Sequence, residues 1–184
     1  METWMILLLV VALLAVFGVS IYNGLVKLRN LVEEAFSTMD VYLKKRYDLI
    51  PNLVETVKGY AKHDSDTLEA VISARNKAAS ANTDEARIAA EGDLSQVMGR
   101  LFALTESYPD LKANTNFMDL QAQLQKIETE IAQSRKYYNG TVKTYNIKRE
   151  VFPNNLFASM FGFHKKPLYE VTNEAERENV KVSF

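Results

Sequence analysis

The chain has 184 residues, enough for one domain with its own core plus an appendage. Its 22 basic and 23 acidic residues nearly cancel, which removes the overall positive field that draws a protein to nucleic acid, so no nucleic-acid partner is expected. With 0 cysteines, disulfides, thiolate catalysis, zinc–thiolate sites and iron–sulfur ligation are excluded, and 7 Gly with 4 Pro are too few for a turn-rich β-sandwich, so an all-α fold is expected.

From Met5 to Ile21 the run MILLLVVALLAVFGVSI carries no charge. As a helix rising ~1.5 Å per residue it reaches ~26 Å, and Trp4 and Tyr22 at its edges extend it into the headgroup layers. Residues 1–22 are therefore read as a transmembrane anchor with its span at 5–21. A cleaved signal peptide would begin with basic residues, whereas this chain begins Met1-Glu2-Thr3. Lys27 and Arg29 follow the span and no basic residue precedes it. The positive-inside rule then expects a single-pass protein of the plasma (inner) membrane, N-terminus outside, with the large domain in the cytoplasm.

Beyond the span, Leu25, Leu28, Val32, Ala35, Met39, Tyr42, Leu49 and Leu53 fall at spacings of three and four, with Arg46 the one polar occupant of that seam. The membrane helix is expected to run on into the soluble domain without a break before Pro51. Inside a helix a proline costs ~3 kcal/mol, and at the first helical position that penalty vanishes, so Pro51 is read as opening a second, antiparallel helix. A kinked continuous helix is the competing reading, because the seam passes straight through. If four helices alternate, the end of the last one returns to the lipid surface; if Pro51 only kinks, that end lies far from it.

A second stripe, through Val57, Leu68, Val71 and Ile72, runs to about Ser80. Asn82, three residues before Glu85, reads as the start of a third helix that Pro109 stops. Asn116 reads as the cap of the longest helix, whose heptad-like seam runs from Phe117 through Leu124, Ile131, Tyr138 and Tyr145 to Phe152 before Pro153 ends it. Residues 23–152 are thus expected to form an up-and-down antiparallel four-helix bundle, a coiled-coil-like seam continuing from the N-terminal transmembrane helix. Residues 153–184 are read as an aromatic and basic segment followed by an extended polar tail.

The segments YNGLVKLRNLVEEAFSTMDVYLKKRYDLIPNLVETVKGYAKH (22–63), ESYPDLKANTNFMDLQ (106–121), YNGTVKTYN (138–146) and FPNNLFASMFGF (152–163), with the closing VKVSF, resemble the LemA family of bacterial membrane proteins over nearly the whole chain. The resemblance implies an N-terminal transmembrane helix and a cytoplasmic four-helix bundle. It implies no enzymatic activity.

A catalytic or metal centre finds little raw material. Neither His63 nor His164 has a glutamate three residues before it, so the Glu-x-x-His ligand pattern of di-iron bundles is missing. Asp64-Ser65-Asp66 opens like a calcium loop, but Leu68 stands where a further ligand belongs. Glu33 and Glu34 read as a solvated helix face. No catalytic residue, metal site or cofactor is expected.

Arg46 needs a carboxylate from another helix or another subunit, because a charge in an apolar seam must be paired or reach water. Tyr138, Asn139, Tyr145 and Asn146 read as a polar layer fixing register, with a ligand pocket as the minority alternative. In the segment 148–166, Phe152, Phe157, Met160, Phe161 and Phe163 are interleaved with Lys148, Arg149, Lys165 and Lys166 in a composition suited to the headgroup boundary, with Phe157, Phe161, Phe163, Lys165 and Lys166 the candidate membrane contacts; the alternative is that the rings plug the end of the bundle. The function expected is a non-enzymatic membrane-anchored scaffold whose partners are the lipid bilayer, further copies of itself in a homo-oligomer, and other membrane proteins. The alternative is a ligand-sensing or signalling module with its small molecule near Tyr138.

Overall fold

The computed structural model describes residues 2–169, so the expected polar tail lies outside the described residues from position 170 onward. The elements are helices: α1 (Glu2–Lys58), α2 (Ser65–Ala79), α3 (Asp84–Thr105), α4 (Pro109–Lys112), α5 (Thr115–Glu150) and α6 (Asn154–Met160). Among the described residues there is no strand.

Pro51 does not start a helix. It lies inside α1, which runs unbroken for 57 residues. The proline lacks the amide that would bond the carbonyl four residues back, that of Tyr47. Arg75 of α2 takes that place, its Nε donating to Tyr47 O at 3.0 Å. A side chain from a neighbouring helix thus supplies the missing donor and removes much of the reason for the helix to stop. The chain turns instead at residues 59–64, where the Tyr60 and Ala61 amides close onto Val57 O. Tyr60 accepts from Asn114, and Tyr108 donates to Asp64 at 2.6 Å, so the turn is held by both sides of the α4 segment.

The other helix ends also differ from expectation by small steps. Thr83, not Asn82, caps α3 by accepting the Ala86 amide, and Asn114, not Asn116, caps α5 by accepting the Phe117 amide. Pro109 does not end α3, which stops at Thr105, but occupies the first turn of α4, where its missing donor is not needed.

The described chain forms two compact units, one of residues 2–38 with 134–168 and one centred on 39–133. In the first, Ile21, Leu25, Val32 and Ala35 of α1 are buried with Tyr138, Val142 and Tyr145 of α5. Phe36 meets Tyr138 edge-on at 5.5 Å, while Tyr22, over three turns earlier in α1, meets Phe161 and Phe163 beyond α5, so α1 and α5 run antiparallel here. In the second unit, Met39, Leu43, Ile50, Leu53 and Val57 of α1 are buried with Val71 of α2, Leu94 and Leu101 of α3 and Phe117, Leu124 and Ile131 of α5. Arg75 of α2 and Glu91 of α3 both reach Tyr47, and Asp40 pairs with Arg87 of α3, which fixes the register of these helices on α1.

Candidate functional site

The polar residues of α5 hold the chain that follows it. Tyr138 OH donates to Pro167 O and Tyr145 OH to His164 O, each at 2.9 Å. Asn146 makes a two-way contact with Lys166, its Nδ2 donating to the carbonyl at 2.9 Å and its Oδ1 accepting the amide at 3.0 Å. Arg149 Nε donates to Phe163 O at 2.7 Å. From Tyr138 with Pro167 to Arg149 with Phe163 the partners run in opposite directions, so residues 163–167 pass back along the last turns of α5 as a strap without secondary structure of their own. A strap with no ladder must still satisfy its carbonyls, and buried Tyr and Asn side chains do so here. Burial also pushes the Tyr145 phenol above its ordinary pKa, opposed by the positive field of Arg149. Asn139 is half-buried beside them.

The aromatic residues ahead of the strap lie against α1. A Cβ placed on Gly18 would stand 2.9 Å from Cε1 of Phe157, so any larger residue would make that ring shift. Phe163 is buried, with its ring edge-on to Tyr22 and the Arg29 guanidinium 5.4 Å from its centroid. Phe161 also meets Tyr22, at 5.0 Å, yet keeps 52% of its surface exposed. Lys165 is exposed near Glu150, and Lys166 is half-buried through its backbone contacts. The five residues expected at lipid therefore do not share one face: Phe163 points inward, Phe157 fills a notch in α1, and Phe161 and Lys165 remain open. Phe152 and Met160, which the sequence already placed in this aromatic and basic segment, are exposed at 80% and 68%, and Leu156, which sequence reasoning passed over, at 60%.

This placement corrects the argument from Pro51. Although that proline does not open a helix, the aromatic segment packs beside residues 18–29 of α1, because the reversal assigned to Pro51 takes place at 59–64.

In the second unit, Arg46 is 1% exposed and its guanidinium pairs with Glu91, itself fully buried. The second carboxylate oxygen of Glu91 accepts from Tyr47 OH, and Arg46 Nη1 reaches the half-exposed Glu128 at 2.8 Å. Glu91 of α3 and Glu128 of α5 thus converge on one charge from α1. Burial raises the Tyr47 pKa above the ordinary phenol value, with the Arg46 charge opposing. Sequence reasoning missed Glu91, which lies one position after the buried Ala90 and reads as an ordinary surface glutamate in the run AAEGD. Beside this network, Ser95, Met98, Phe102, Gln121, Leu124 and Glu128 line a groove of about 410 Å³ between α3 and α5. His63 is exposed, and Asp64 is occupied by Tyr108.

Residues 3–17 of α1 are exposed throughout, and α1 is long and apolar enough near its N-terminus to cross a membrane. The chain is thus an all-helical protein with an N-terminal membrane-anchor helix, a buried charged network and a strapped C-terminal aromatic segment. It belongs to the LemA family, whose model matches residues 35–184. Protein LemA of Metamycoplasma hominis is 24% identical over 162 residues, covering 88% of this chain and 74% of that protein. Magnetosome protein MamQ 2 of Paramagnetospirillum magneticum is 30% identical over 86 residues, or 47% of this chain and 32% of its own length. Magnetosome protein MamQ of Magnetospirillum gryphiswaldense is 24% identical, covering 79% of this chain and 65% of that protein. The chain therefore spans less than two thirds of either magnetosome relative.

Proposed function

We propose that this LemA-family protein is a non-enzymatic, single-pass scaffold of the plasma (inner) membrane that self-associates, with its N-terminus outside and residues beyond the span in the cytoplasm. The observation that carries the reading is the continuity of α1: one helix leads from exposed apolar residues at 3–17 to buried residues at 39–57. A scaffold needs its soluble part joined to its anchor, and here one helix makes the join with no Gly- or Pro-rich linker. The contacts of α2, α3 and α5 on α1 support reading the second unit as an up-and-down bundle of four helical segments. Lys27 and Arg29, on the C-terminal side of the span, support the orientation. The hydroxyl of Tyr138 is engaged by the chain's own Pro167, so the ligand-sensing alternative gains no support there.

Light scattering of the full chain in mild detergent, with the detergent mass subtracted, tests the assembly. A single species of defined mass above the monomer is expected. A monodisperse monomer at membrane-like concentration overturns self-association.

A further inference from the structure

We infer that the outer face of α6 and its flanks, formed by Phe152, Leu156, Met160 and Phe161, lies in the headgroup boundary of the bilayer as a second membrane contact beside the span. The inference rests on the reading of α1 as a membrane helix.

Depth is set by Gly18. That residue belongs to the uncharged run ending at Ile21, and the Phe157 ring packs into the notch it leaves. Three residues of helix rise only ~4.5 Å, so α6 is level with the last turn of the span. Tyr22, the aromatic residue at the edge of that run, touches Phe161 and Phe163 from the same side. An element packed at this level of a spanning helix is already at the edge of the hydrocarbon core.

The chemistry of the two faces agrees. Asn154 and Ala158 are buried and Phe157 is half-buried, so α6 presents these to the protein. Leu156 and Met160, one turn apart, are exposed at 60% and 68%, with Phe152 and Phe161 at 80% and 52% on either side. Four large apolar side chains grouped this way are unusual on a face that meets water. Lys148 and Lys165 flank them in the sequence and are exposed, Lys165 lying 3.7 Å from the exposed Glu150 carboxylate, so both are available to lipid phosphates. Phe157 packs on Gly18 and Phe161 on Tyr22, so this face adjoins the apolar run of α1, and lipid is the occupant inferred for it.

The test uses the full chain in anionic liposomes. The protein has 0 cysteines, so single substitutions can carry an environment-sensitive fluorophore without background. Leu156→Cys and Met160→Cys report on the proposed face, Leu9→Cys on the span, and Lys143→Cys, exposed on α5, on the aqueous side. The expected result is blue-shifted emission at positions 156 and 160, with most fluorescence lost to a lipid nitroxide at headgroup depth and little to aqueous iodide. If both behave like position 143 while position 9 is quenched by lipid, α1 spans and the inference is wrong. Protection from both quenchers that disappears on dilution into excess lipid identifies a second copy as the cover and also overturns it. If position 9 itself escapes lipid quenching, the membrane reading of α1 fails and the inference with it.

Discussion

If Arg75 supplies the donor that Pro51 cannot, removing either residue should change the worth of the other. Arg75 is half-buried, and its Nε lies 3.0 Å from Tyr47 O. Leaving a carbonyl without its charged donor costs about 1.5–3 kcal/mol when buried, and the part-buried setting favours the lower end. Arg75→Met, which keeps most of the stem, should therefore destabilise the protein by about 1–2 kcal/mol. Pro51→Ala restores an amide aimed at the same carbonyl. Alone it should gain less than the ~3 kcal/mol separating the two residues in a bare helix, because the acceptor is already served. In the Pro51→Ala background, Arg75→Met should cost about 1 kcal/mol less than in the native chain. Thermal unfolding of the four proteins of this cycle, followed by circular dichroism in mild detergent, measures the coupling. Additivity within ~0.3 kcal/mol would falsify the substitution of one donor for the other.

Glu91→Ala leaves the buried Arg46 charge with only the half-exposed Glu128, and should destabilise by about 3–5 kcal/mol in the same assay, against about 1 kcal/mol or less for Glu128→Ala; equal costs would contradict the assigned hierarchy. Because the folded-state pKa of Tyr47 is raised, its contribution is complete below the ordinary phenol value and is lost as pH rises through the folded value. Stability should therefore fall above about pH 10, and Tyr47→Phe should flatten that fall; an unchanged alkaline slope counts against it. Asn146→Ala removes both of these bonds to Lys166, so trypsin should cut after Lys165 several-fold faster than in the native chain, with cleavage elsewhere unchanged. No acceleration would mean the strap is held by other contacts.

The all-helical class, the apolar helix and the family were legible because each rests on local signals: an uncharged run, regular seams and the motif around RYDLIPNLVETVKGY. Pro51 misled for a physical reason. Its intrinsic penalty is local, while the compensation comes from Arg75, 28 positions from the carbonyl it serves, and nothing in the local sequence announces that bond. The caps shifted by one or two residues because SANTDE and KANTN each offer adjacent Asn and Thr candidates, and only backbone geometry chooses among them. The strap was illegible for another reason: Tyr138, Tyr145 and Asn146 bond to backbone carbonyls, which every residue carries. The role of Gly18 was illegible as well, because nothing near it in the sequence points to the Phe157 ring that packs there. The division between Phe163 inside and Met160 outside depends on how α6 is rotated, which seven residues with apolar side chains on both faces do not determine.

The proposed orientation puts the second unit in the cytoplasm, and cysteine accessibility can decide it. Lys62 is exposed in the turn after α1, and Lys62→Cys places the sole thiol of the chain there. In intact bacterial spheroplasts expressing the full chain, a membrane-impermeant maleimide should leave this thiol unlabelled, and lysis should make it fully reactive. Labelling in intact spheroplasts would put the second unit outside the membrane and contradict the account.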